Sequence, residues 1–267
     1  MTNRKSEGTL VGLVAIFLFV LACGDPAVQN NQLPSSSPNN VADMDVSNDV
    51  DNTGLTYAEE YQVMFTDLAF LSTSPGASLN SILRQSFDQS LNYPIVVLVD
   101  IKDLDSDAGT FDLRAGSGLK TDTDGAYEWD PESDDSYTPC TVDTDSGRMQ
   151  GNLALLPFVS TIEFEDRAEK VVLNLRGLHI DAKMELLEDG SQFRVRAGTL
   201  TGHLTKADGD STSIALTPGA EGIKITQIFK EERLNFDTAT GETVEAGTGD
   251  AWYLEATFDA DPANIVD

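Results

Sequence analysis

Cysteine, histidine, tryptophan and cationic residues are all scarce in this chain. Its 267 residues hold two Cys, two His and two Trp, and 17 Lys and Arg stand against 45 Asp and Glu, for a formal net charge of −28. Two cysteines cannot build the disulfide framework of a small secreted scaffold, so the folded part must be held by its core, which a domain of ~200 residues can supply. His179 and His203 lack the spacing of a His-Glu-x-x-His zinc site, and each reads as a strand residue with a structural role. The shortage of cations excludes nucleic acid and anionic membrane faces as partners, because both would repel the chain. No Gly-x-Ser-x-Gly elbow, phosphate loop or Gly-x-Gly-x-x-Gly after a strand is present. Paired carboxylates could serve a glycosidase, but among so many acids that criterion selects nothing. Long apolar runs are missing as well. Leu10–Ala22 carries no charge, yet it falls short of the ~20 residues of a permanent membrane span.

What that run does resemble is a leader. Arg4 and Lys5 precede it and a small residue, Ala22, closes it, which is the form of a secretory signal peptide. Val20-Leu21-Ala22-Cys23 resembles the lipobox of bacterial lipoproteins, although that motif usually opens with Leu and has a smaller or β-branched second residue. The resemblance covers residues 1–25 only. It implies cleavage after residue 22, lipidation of Cys23 by thioether-linked diacylglycerol and an N-terminal acyl chain such as palmitate, and a stable membrane anchor. It also implies residence in the cell envelope. Gly24 stands where an Asp would retain an enteric lipoprotein in the inner membrane, so the outer membrane is the expected address. With Cys23 acylated, Cys140 is left alone in an acidic stretch that disfavours its thiolate.

Residues 23–55 are rich in Asn, Ser, Pro and Asp, with almost nothing apolar to offset the entropy of ordering, and read as a disordered polar tether. The globular domain is expected over 56–267. Leu79, Ile82, Leu83, Phe87 and Leu91 fall at helical spacing, which predicts an amphipathic helix from Ser78 to Asn92, stopped by Pro94. The remainder reads as strands: 61–71, 93–101 (a run apolar from Ile95 to Val99, hence buried on both faces), 110–115, 160–164, 170–178, 192–197, 199–204, 211–216, 223–229 and 252–258. The fold class is therefore mainly β, an antiparallel β-sandwich or partly open barrel with one amphipathic helix near the start of the domain. An acidic loop insert is expected at about 103–147. Val96–Leu98 followed by Phe111–Gly116 is echoed by Val171–Leu173 followed by Phe193–Gly198, which suggests either two related halves or two similar strand-turn units.

Two chemistries attach to the acidic insert. Asp103, Asp105 and Asp107 alternate, and Asp122 and Asp124 follow. Calcium takes six to eight oxygen ligands and can be wrapped by such loops, so calcium is a possible cofactor. Neither loop has the Gly and Glu that a complete calcium loop places at its sixth and twelfth positions. Tyr127 and Trp129 in the same insert are candidate binding aromatics for a sugar or a partner surface. The functional expectation is a lipid-anchored envelope or surface lipoprotein, with a non-enzymatic binding or scaffolding β domain and an envelope or extracellular partner. An apolar-ligand carrier is the alternative, which a cavity lined by Leu and Val inside the sheet would favour. A secreted hydrolase with a site invisible in sequence is the third reading.

Overall fold

The computed structural model describes residues 56–266 except 92–93, 164–167, 188–189 and 215–221. The leader 1–22, Cys23 and the tether 23–55 lie outside the described residues.

The chain builds a ring of eight antiparallel strands. β1 (Tyr61–Phe70), β2 (Val97–Asp105), β3 (Thr110–Lys120), β5 (Thr138–Asp143), β6 (Arg148–Glu163), β7 (Ala168–Leu187), β8 (Gln192–Thr205) and β13 (Ala251–Pro262) pair in chain order. β13 then pairs back onto β1, from Val63 opposite Pro262 to Phe70 opposite Ala256. Short excursions leave the ring. β4 (Ala126–Trp129) pairs with the end of β3 and, in parallel, with β14 (Asn264–Ile265). Between β8 and β13 lie β9 (Ser213–Ile214), β10 (Ile223–Lys224), β11 (Phe236–Asp237) and β12 (Glu242–Thr243).

Strand alternation places the apolar set inside. Phe111, Leu113 and Ala115 of β3, Cys140 and Val142 of β5, and Trp252, Leu254, Ala256, Phe258 and Ala260 of β13 all enter one continuous core. The parity of several strands switches midway, and on β8, β7 and β2 the switch coincides with a bulge. On β8 the inward set is Phe193 and Val195, then Leu200 and Leu204; between them Ala197 has φ +52° and its N–H donates to Asp259 Oδ1 at 2.8 Å. On β7 the switch falls at Gly177, φ +53°, between Leu175 and Leu178. On β2 it falls at Asp103, φ +53°, between Ile101 and Leu104. Bulges of this kind add curvature and re-aim side chains, which is what closing a sheet into a ring requires.

The same bulges correct the sequence reading. The two strands expected at 192–197 and 199–204 are one strand kinked at Ala197–Gly198. The expected helix is shorter: a 3-10 turn, Pro75–Leu79, capped by Ser74, leads into α1 (Asn80–Ser86). It stops at Ser86 because Asp88 Oδ1 starts a new turn by accepting from Ser90 N–H, and the Ser86 carbonyl accepts from Ile95 N–H. Where strands are expected at 211–216 and 223–229, the described residues hold β9 and β10, flanked by α2 (Lys206–Ser211) and α3 (Ile225–Phe229). The stretch expected as an acidic loop insert at 103–147 is not one loop, since β3 and β5 within it belong to the ring. The internal echo is not a structural equivalence. Val97 pairs with Ser117, whereas the β7–β8 ladder starts at Arg176 and leaves Val171–Leu173 unpaired with β8.

The outside of the ring is polar. Arg148 with Asp181, Arg194 with Glu185 and Arg196 with Asp261 form ion pairs across the outer faces of β6, β7, β8 and β13, and Arg176 of β7 pairs with Asp208 of α2. A barrel that spans a bilayer carries its apolar band outward; this one carries it inward. No helix among the described residues is long and apolar enough to cross a membrane.

Candidate functional site

Strand β2 is buried on both faces, as its continuous apolar run predicts, because a second layer covers its outside. Met64 of β1, Val96 and Leu98 at the start of β2, Tyr127 of β4 and Ile265 of β14 form a small cluster there, with Trp129 packed against it. Tyr127 is 7% exposed and its hydroxyl points to Gln89 Oε1 at 3.4 Å. Trp129 has the Arg114 guanidinium 3.8 Å from its ring centroid, a cation–π contact that occupies one ring face. Of the two aromatics expected to bind, Tyr127 is therefore a cluster residue and Trp129 is half-buried, packed against that cluster with Arg114 over its ring.

From Trp129 the chain crosses the outer wall as a strap, residues 130–137, before entering β5. Asp130 N–H donates to the Ser117 carbonyl at 3.0 Å, and Ser133 Oγ donates to the same carbonyl at 2.8 Å. Asp130 is 3% exposed, and its carboxylate receives Glu132 N–H and the Lys170 ammonium, each at 2.9 Å. Burial pushes this carboxyl up, but those two donors outweigh it and hold the group below the usual carboxylate range. At the far end of the strap the Tyr137 hydroxyl donates to Asp100 of β2, while Lys102 sits over the Tyr137 ring. Burial, reinforced by the Asp100 carboxylate, pushes the Tyr137 phenol up.

The five aspartates expected to hold calcium are not brought together. Asp103, Asp105 and Asp107 lie at one end of β3, and Asp122 and Asp124 follow its other end, with about 35 Å of strand between. Asp103 is the β2 bulge residue, a left-handed backbone position that Asp tolerates better than most. Asp105 is spent on its own turn: Oδ1 accepts from Asp107 and Ala108 N–H, both at 2.9 Å, and Gly109 closes the turn at φ +66°. The same device recurs. Asp143 accepts from Asp145 and Ser146 N–H ahead of Gly147, and Asp237 accepts from Ala239 and Thr240 N–H ahead of Gly241. The Asp-x-x-x-Gly spacing at 105, 143 and 237 is hairpin chemistry, and that spacing was the signal available to find it. Among the described residues no three His, Cys, Asp or Glu side chains stand close enough together to hold a metal ion.

Asp122 borders an open surface depression of about 500 Å³, lined also by Lys120, Glu128, Asn264 and Val266. The Lys120 ammonium is turned onto the Gln89 carbonyl at 3.0 Å. His203 stacks on Phe236 at 4.7 Å, and Phe236 stacks on Tyr253 at 5.9 Å, which pins the β11–β12 hairpin to the outer wall. Burial and the Arg176 charge hold the His203 imidazole below its ordinary value. His179, on the outer face, hydrogen-bonds Asn152 at 3.0 Å. Cys140 points inward from β5, and burial pushes its thiol up to about 11, so the native thiol is a poor nucleophile. No protein-family profile, curated protein or solved structure matches this chain.

Proposed function

We propose that this protein is an exported lipoprotein, anchored through Cys23 to the outer membrane of the cell envelope. In this reading its barrel is a non-enzymatic binding or scaffolding domain that works from its outer surface. The observation that carries the second half is the filling of the ring. Trp252, Phe65, Phe193, Phe229, Leu68, Leu156, Leu175 and Met184 are all below 2% exposed and belong to one core. An eight-stranded ring has an interior just wide enough to be filled by side chains or to hold one small ligand, and here bulky side chains occupy it. That favours surface binding over carriage of an apolar ligand. The partner is an envelope or extracellular molecule, not nucleic acid, because a net charge of −28 repels polyanions.

Anchoring is tested by metabolic labelling with an alkyne analogue of palmitate. The wild type should be labelled and partition into detergent, and Cys23→Ala should lose both properties; label retained in Cys23→Ala would overturn the anchor. Calcium is expected to raise the melting temperature no more than magnesium does at matched ionic strength. Asp105 and Asp143 each commit oxygens to their own turns, so both salts act by screening. A rise specific to calcium would instead restore the Asp103–Asp145 turns as a cation site.

A further inference from the structure

β5 is the weak member of the ring. It pairs with β3 only from Thr110 opposite Thr141 to Leu113 opposite Thr138, and with β6 only from Thr141 opposite Gln150 to Asp143 opposite Arg148. By contrast the β6–β7 ladder runs from Arg148 opposite Lys183 to Glu163 opposite Ala168. Beyond β5 the walls of β3 and β6 meet through side chains: Ser117 Oγ of β3 donates to the Pro157 carbonyl of β6 at 2.7 Å. Pro157 offers no N–H to a ladder, which suits a strand at an interruption. The strap 130–137 runs over this seam, tied to β3 through Ser117 and to β7 through the Asp130–Lys170 pair.

We infer that the strap and β5 open together as one local unit, releasing the seam between β3 and β6 while the other ring strands stay folded. The free energy of local opening follows the backbone bonds and buried contacts a segment must give up, and this segment gives up the fewest of any ring strand. Its buried side chains are Asp130, Cys140 and Val142. Opening would bare the β3 and β6 edges and give lateral access to Phe111, Leu113 and Met149, which line the core beside them. The Asp130–Lys170 pair is the latch, because closing buries the Asp130 carboxylate and the Lys170 ammonium offsets its charge there.

Cys140 supplies the reporter. In the full chain carrying Cys23→Ala it is the one thiol, and it can be labelled with a disulfide reagent under native conditions across low denaturant concentrations. Local opening predicts labelling far faster than global unfolding allows, with a rate nearly independent of denaturant until the global transition. Lys170→Met should speed labelling about tenfold in that flat regime, after discounting the partly exposed lysine for solvent screening. Asp130→Asn should do likewise, and Lys206→Met, which breaks an ion pair on α2, should leave the rate unchanged. A labelling rate that follows denaturant with the full slope of global unfolding would overturn the inference. So would Lys170→Met and Lys206→Met having equal effects.

Discussion

Trp252→Ala is expected to lower the unfolding free energy by about 3–5 kcal/mol, the cost of truncating a large core aromatic. Trp252 is fully buried near the start of β13. Its ring meets Phe229 of α3 edge-to-face, with centroids 5.6 Å apart, and Nε1–H donates to the Lys230 carbonyl at 3.0 Å. Gly209 of α2 lies against the same indole, so closely that a Cβ there would stand 3.0 Å from Cζ3. One side chain thus fixes α2 and α3 to the wall. Trp252→Phe keeps part of the ring and loses the hydrogen bond; about 1–2 kcal/mol is expected. Urea unfolding followed by far-UV circular dichroism checks both. For domains of total stability near 5–15 kcal/mol, the alanine variant should show a large drop in midpoint with little change in slope.

The second large effect is expected where the ring closes. Phe65 of β1 and Phe258 of β13 stack with centroids 4.5 Å apart and planes 14° from parallel, both nearly inaccessible. Each alanine variant should cost about 3–5 kcal/mol. Their double-mutant cycle should return a coupling of about 0.5–1.5 kcal/mol, because the pair touches directly. Gly198→Ala tests the same ring from β8, where a Cβ would stand 2.6 Å from Phe258 Cζ and force the ring to move. A cycle that sums to zero would show that the two rings do not meet and that β1 and β13 do not close the ring in this register.

The β-rich class and most strand positions were legible because alternation is a local property, and Ile95–Val99 announced a strand covered on both sides by being apolar at every position. Closure into a ring was not legible. It depends on β1 finding β13 across the whole domain, and on bulges at Asp103, Gly177 and Ala197 that reverse the alternation on which strand reading rests. That reversal is why β8 read as two strands. The acidic pattern misled for a different reason. Alternating Asp residues suit both a cation and a turn, and only the Gly four residues after Asp105 and Asp143 separates the two uses. Tyr127 and Trp129 read as loop aromatics because β4 is short and its partner β14 lies at the far end of the chain.

The account turns on whether the ring is filled by its own side chains or holds cargo. Titration with an apolar fluorescent probe, such as an environment-sensitive fatty-acid analogue, asks this directly. The wild type is predicted to show no saturable binding, because bulky side chains fill the ring interior. Saturable one-to-one binding by the wild type, displaced by an unlabelled fatty acid, would contradict the account and make the barrel a carrier.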